Sequence, residues 1–185
     1  MQLNIEECRM RLLNLLKDKA LLFGTFILGS GKESSYYLDE RVVTLSSEGA
    51  YLTAKVMLDM LKEVKFDAIG GMTLAADPIV SAISVISYID GKPINGFIVR
   101  KESKGHGTGK IIEGSTIKGL KVVIVDGTMT TGASVLKTIN VVKNEGGEVV
   151  KVLVLIDRLE GGKEALQSKG YDVASVFTRD DLLNS

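Results

Sequence analysis

Residues 122–139 read VVIVDGTMTTGASVLKTI, an apolar run passing through a polar turn into a helical pattern. Asp126 ends the run. Gly127, Thr128, Met129, Thr130, Thr131, Gly132, Ala133 and Ser134 follow, all small or hydroxylated except the one Met. Small residues let backbone N–H groups converge on an anion, the hydroxyls can donate to oxygens, and a helix start adds positive potential. That potential contributes only about 0.3–1 kcal/mol when exposed, so several donors must act together. Such a turn suits a phosphate. Asp126 repels a phosphate but can accept hydrogen bonds from a sugar diol. The alternative without a ligand is an ordinary strand-to-helix turn capped by a Thr.

A second cluster lies in VRKESKGHGTGKIIEGSTIKG, residues 99–119, where Arg100, Lys101, Lys104 and His106 alternate with Gly105, Gly107 and Gly109. Cations on glycine-rich backbone suit a lid that closes over a polyanion and excludes water, although a solvated hairpin would carry the same residues. Gly70, Gly71 and Thr73 in DAIGGMTLAADP either admit a ligand to the backbone or let a helix pack tightly on a strand. Arg158, just past VLVLID, can clamp a carboxylate or pair with Asp157 or Glu160. Two other phosphate loops are excluded. Gly114 and Gly119 have Walker spacing, but Leu120 stands where a Lys is required, and GHGTGK lacks the final glycine of a dinucleotide fingerprint.

These residues need elements to position them. FDAIGG, INGFIVR, KVVIVD, EVVKVLVLID and DVASVF read as strands, alternating with helices near 77–88, 132–144 and 163–169. Continuous Val/Ile/Leu runs between helices predict an α/β fold with a mostly parallel sheet covered on both faces, its ligands at the carboxyl ends of the strands. Asn4 with Glu7 predicts a capping box opening a helix over 5–19, whose apolar flank is Leu12, Leu13, Leu15 and Leu16. FGTFILGSGKESSYYLD predicts two short strands around Gly-Ser-Gly, and Ser46 or Ser47 caps a helix near 48–64.

With 185 residues, one domain is expected to bury about 70% of its unfolded surface. Lys plus Arg equals Asp plus Glu at 23 each, which leaves no global field to recruit nucleic acid or an anionic membrane. PIVSAISVISYI, the longest apolar stretch, is too short to span a bilayer, and MQLNIEECRMR lacks a signal-peptide pattern. One Cys, Cys8, and one His exclude an intrachain disulfide and a His/Cys zinc site, and they fit a cytoplasmic protein.

FGTFILGSGKESSYYLD, VRKESKGHGTG, VVIVDGTMTTGAS and LIDRLEGG together resemble the orotate phosphoribosyltransferases of the type I phosphoribosyltransferase family, across residues 23–162. The resemblance implies transfer of a phosphoribosyl group from phosphoribosyl pyrophosphate to orotate, with Mg2+ held mainly by substrate oxygens. It implies one domain over 1–185: a hood over about 1–45, a core over 46–185 and a lid over about 100–118. Residues 126–134 would cradle the 5'-phosphate and ribose, with Thr130 also near orotate. Arg158 would read the orotate ring, and Tyr37 and Leu38 would lie beside it. Arg100, Lys101, Lys104 and His106 would close on the pyrophosphate, partly from the partner in a homodimer that shares its lids. Lys101, Lys104, His106 and Asp126 would carry the catalysis.

The chain also departs from the family pattern. The family usually carries two adjacent acids where this chain has Asp126 followed by Gly127, and some members carry Lys at the positions of Gly29 and Ala75. A missing acceptor, at about 1.5–3 kcal/mol per charged hydrogen bond, predicts weaker binding of the sugar substrate. Two other readings stay open: a non-catalytic phosphoribosyl-pyrophosphate-binding regulator, and a transferase acting on another base.

Overall fold

In a computed structural model that describes residues 3–27, 33–102 and 110–184, six strands form one sheet in the order β5-β4-β3-β6-β7-β8. They are β3 (Ala68–Met72), β4 (Asn95–Val99), β5 (Ile112–Gly114), β6 (Lys121–Met129), β7 (Glu148–Asp157) and β8 (Val173–Thr178). β3, β4, β6, β7 and β8 run parallel, and only β5 is antiparallel to its neighbour. β1 (Leu21–Ile27) and β2 (Glu33–Leu38) form a separate antiparallel pair.

The expected alternation of strand and helix holds. The helices are α1 (Ile5–Lys19), α2 (Arg41–Thr44), α3 (Ser47–Met60), α4 (Ala76–Ile89), α5 (Ala133–Asn144), α6 (Gly162–Gln167) and α7 (Arg179–Leu183). Asn4 and Glu7 form the capping box of α1, and Ser46 caps α3 through the Gly49 N–H. Of the leucine flank on α1, Leu12 and Leu16 are buried together with Cys8, while Leu13 and Leu15 are partly buried against the same core.

Both faces of the sheet are covered, as the unbroken apolar runs require. Val123, Val125, Leu153 and Leu155 pack with residues of α1, α3 and α4, while Val122, Ile124, Val152 and Val154 pack with residues of α5 and Leu166 of α6. Successive side chains of one strand point to opposite faces, so both faces of β6 and β7 must be apolar. No helix among the described residues is long and apolar enough to cross a membrane.

Four expectations about the elements need correction. β6 does not stop at Asp126. Parallel pairing of Thr128 with Ile156 and Met129 with Asp157 carries the strand to Met129. The helices expected over 48–64 and 163–169 stop at Met60 and Gln167. Residues 112–114, expected within the lid, add β5 to the edge of the sheet. The short helices α2 and α7 carry too little periodicity to be read from sequence.

Gly70 and Gly71 are packing glycines. A Cβ on Gly70 would lie 2.5–2.6 Å from ring atoms of Phe97, and one on Gly71 would lie 2.5 Å from the Ala76 Cβ and press into the Val125 carbonyl. Gly71→Ala is therefore expected to cost about 1–3 kcal/mol of overpacking. Urea unfolding would read this as a lower midpoint at unchanged slope.

Candidate active site

The site builds from the carboxyl end of β6. Asp126 is only 6% exposed, and its Oδ1 accepts the Gly127 N–H at 2.8 Å. Position 127 has room for a side chain only if Glu40 moves aside. A Cβ there would stand 2.8 Å from Cδ and 2.9 Å from Cγ of Glu40, and closer still to its Oε1. Glu40, also 6% exposed, comes from the turn between β2 and α2, and its Oε2 accepts the Thr128 hydroxyl at 2.9 Å. Two acids thus share one buried strand end. Burial pushes the Asp126 carboxyl up from 3.8 to about 7, against the Gly127 N–H and with the help of the Glu40 charge. Burial likewise raises Glu40, only partly offset by its own backbone N–H and the Thr128 hydroxyl.

Past Asp126 the chain divides its tasks. The Met129 side chain is buried in the same core cluster as Ile124 and Val154, and its carbonyl accepts the Arg158 N–H at 2.9 Å. Gly132, at φ 77°, begins α5 in the left-handed conformation that favours glycine, and no side chain caps that helix. A Thr cap, the explanation that needs no ligand, is not what this turn contains. Thr130 is half-buried, while Thr131, Ala133 and Ser134 are exposed around the uncapped start. The threonine and serine hydroxyls and the free N–H groups of the α5 terminus are thus potential donors at this turn.

The loop after β7 nests against this turn. A Cβ on Gly162 would stand 2.8 Å from the Gly132 nitrogen and 2.9 Å from the Met129 Cγ, so the two strand-end loops touch backbone to backbone. Arg158, 8% exposed, lies in the same place. Its guanidinium carbon sits 5.1 Å from the centre of the Tyr36 ring, and Nη2 donates to the Tyr36 hydroxyl at 3.2 Å. Its Nε lies 2.9 Å from Glu160 Oε1, an ion pair without an aligned hydrogen bond. Of the two acids weighed from sequence, Glu160 is the partner. Asp157 instead accepts the Leu159 N–H at 2.9 Å.

Tyr36 is a residue that the sequence reading passes over. It places Tyr37 and Leu38 side by side, but alternate residues of a strand share a face. Tyr36 reaches Arg158, Leu38 packs on the core, and the exposed Tyr37 stacks obliquely on Phe26 at 5.6 Å. The alternation of β2 is the signal that could have found Tyr36.

Of the four cations expected in a lid, Arg100 and Lys101 follow the end of β4. Arg100 lies 3.5 Å from Glu113 on β5, and the carbonyl of the exposed Lys101 accepts the Lys137 Nζ at 3.1 Å. Lys137, also passed over in the sequence, ties the base of that segment to α5. Lys104 and His106 lie outside the described residues, as does Gly29. At the end of β3 the Thr73 hydroxyl donates to Asp77 at 2.7 Å rather than standing free, and Ala75 precedes α4.

A mostly parallel sheet whose strand ends gather an uncapped hydroxyl-rich turn beside two buried acids is suited to hold a phosphorylated sugar. The phosphoribosyl transferase domain family accordingly matches residues 68–176. The chain is 42% identical over 178 residues to an orotate phosphoribosyltransferase of Aquifex aeolicus, covering 95% of this chain and 97% of that one. It superposes on orotate phosphoribosyltransferase of Mycobacterium tuberculosis in complex with 5-phospho-α-D-ribosyl 1-diphosphate with a TM-score of 0.82 at 35% identity, covering 95% and 98% of the two chains. The same enzyme with Fe(III) dicitrate gives a TM-score of 0.85 at 37% identity and the same coverage. The chain belongs to the orotate phosphoribosyltransferase family.

Proposed function

We propose that this protein transfers the phosphoribosyl group of phosphoribosyl pyrophosphate to orotate, giving orotidine 5'-monophosphate and pyrophosphate in pyrimidine biosynthesis. One observation carries the choice of reaction. Arg158, buried against Tyr36, is held on the same loop pair as the uncapped turn, so a reader of a planar acid adjoins a phosphate cradle.

In this reading the 5'-phosphate takes the hydroxyls of Thr130, Thr131 and Ser134 and the backbone of 127–134, while Thr128 gives its hydroxyl to Glu40. Met129 contributes main chain only, because its side chain is buried. Asp126 accepts from the ribose. Arg158 grips orotate, with Thr130 nearby, and Tyr36 takes the place beside the base that the resemblance gave to Tyr37, while Leu38 supports the strand from the core side. As the bond from ribose to pyrophosphate breaks and orotate bonds to the sugar, the ribose gains oxocarbenium character and the leaving group gains negative charge. Arg100, Lys101, Lys104 and His106 stabilise that charge as it develops.

Mg2+ fits this arrangement as part of the substrate. Mg2+ is a hard cation that keeps phosphate oxygens and waters as ligands. Bound there, it would neutralise charge on the pyrophosphate.

In this reading the protein works in the cytoplasm, as one domain with hood, core and lid, without nucleic-acid or membrane partners. A homodimer sharing lids would cover its apolar surface: Phe23 is 74% exposed and Ile27 73%, with Val42, Leu45 and Leu74 also uncovered.

The test mixes the protein with orotate, phosphoribosyl pyrophosphate and Mg2+ and follows the loss of orotate absorbance. Turnover is expected, and binding of both substrates without turnover would defeat the proposal. Lys101→Ala removes an exposed side chain and keeps the carbonyl that holds Lys137. It should lower kcat by about tenfold or more while moving stability by no more than about 0.5 kcal/mol, read by steady-state kinetics and thermal melting.

A further inference from the structure

We propose that Glu40 is a sugar-binding residue of this site, supplying from the β2–α2 turn the second carboxylate that position 127 lacks, so that Glu40 and Asp126 accept the two hydroxyls of the ribose diol. The inference rests on the phosphoribosyl-transfer reading above.

Three observations carry it. First, the Glu40 carboxylate fills the volume that a side chain on residue 127 would occupy, so a side chain there would have to displace it. Glycine at 127 is what admits Glu40. Second, beyond the Thr128 hydroxyl and its own main-chain N–H, Glu40 is not engaged by its neighbours. It precedes α2 but makes no side-chain bond to the start of that helix, and the neighbouring Arg41 gives its Nε and Nη2 to Asp39 at 2.8 and 3.0 Å. Third, the bonds that neighbouring residues make to the two acids use one oxygen of each. Thr128 donates to Oε2 of Glu40, and the Gly127 N–H donates to Oδ1 of Asp126. A vicinal diol brings two O–H donors on adjacent carbons, one for each remaining oxygen. A pair of buried acids held by these donors and the Glu40 main-chain N–H is suited to a ligand that donates, since charged hydrogen bonds strengthen where water is excluded.

The acid counted as missing from the sequence is thus supplied by a residue far earlier in the chain, and the weaker sugar binding expected from Gly127 no longer follows.

Glu40→Gln, Gly127→Asp and the double variant Glu40→Ala with Gly127→Asp test this. Glu40→Gln keeps the volume and an acceptor for Thr128 but loses the charge. It should raise the KM for phosphoribosyl pyrophosphate about tenfold and leave the KM for orotate within about twofold. Gly127→Asp alone should be impaired by collision with Glu40. The double variant, with its acid returned to 127 and room made at 40, should recover to within about threefold of the unaltered protein. An unchanged sugar KM in Glu40→Gln, an equal rise in both KM values, or a double variant no better than Gly127→Asp would each overturn the assignment. Absence of turnover in the unaltered protein would instead strike the reaction itself. Because Glu40→Gln preserves volume and the Thr128 bond, a purely structural Glu40 would leave it fully active.

Discussion

Arg158→Ala is expected to lower kcat/KM for orotate by about two to three orders of magnitude while the KM for phosphoribosyl pyrophosphate stays within about threefold. Truncating one partner of a buried, hydrogen-bonded charge pair costs about 2–5 kcal/mol, because the other charge is left buried and unpaired. Here that other charge would be the carboxylate of orotate. Arg158 is already ordered before substrate arrives, by the Tyr36 ring at 5.1 Å and the Tyr36 hydroxyl at 3.2 Å, so little side-chain entropy remains to be lost on binding. Arg158→Lys keeps the charge but loses the planar fork, and should fall between the two. Tyr36→Phe removes one hydrogen bond and keeps the ring, and should cost about tenfold or less. Glu160, 39% exposed at its side chain, can turn to water when Arg158 is lost, so the folding penalty should be small. Steady-state kinetics varying each substrate separate these outcomes, and equal damage to both substrates would remove Arg158 from the orotate site.

The residues that position Arg158 show where sequence reading succeeds and where it stops. A local rule predicts the start of α1, because Asn4 and Glu7 are three residues apart and satisfy each other's backbone N–H. The parallel sheet is equally legible, because strands covered on both faces must be apolar at every position. What escapes depends on residues distant in the chain. The extension of β6 through Thr128 and Met129 is dictated by pairing with Ile156 and Asp157, and its own residues announce a turn. Glu40 is acidic beside Asp39 in a charged segment, and nothing in that pattern points to Gly127. Only the folded chain makes an absent side chain at one position equivalent to a long one at another. Tyr36 was within reach, since period-two alternation assigns it and Leu38 to one face.

The second large effect concerns Asp126, which the fold holds at a cost. Its carboxyl rises from 3.8 to about 7 because burial penalises the ion and the Glu40 charge repels it. Below about pH 4 the group is protonated in both folded and unfolded chains and affects stability little. Between about pH 4 and 7 the unfolded chain ionises while the folded one does not, so the unfolded state binds fewer protons and stability falls as pH rises. Above about pH 7 both forms are ionised and the loss is constant, at most about 4 kcal/mol. Asp126→Asn does not titrate, keeps an acceptor for the Gly127 N–H, and places a donor toward Glu40. The variant should therefore gain on the unaltered protein as pH rises from 4 to 7, by a few kcal/mol at pH 8, which is about 5–12 °C in Tm for a chain of this size. It should also lose tenfold or more in kcat/KM for phosphoribosyl pyrophosphate, since the acceptor for a ribose hydroxyl is gone. A stabilised and disabled variant is the expected signature of an acid retained for function. Urea unfolding of both proteins at pH 4.5, 6, 7 and 8 decides it. A stability difference that does not change with pH would mean that Asp126 ionises as freely in the fold as in the unfolded chain.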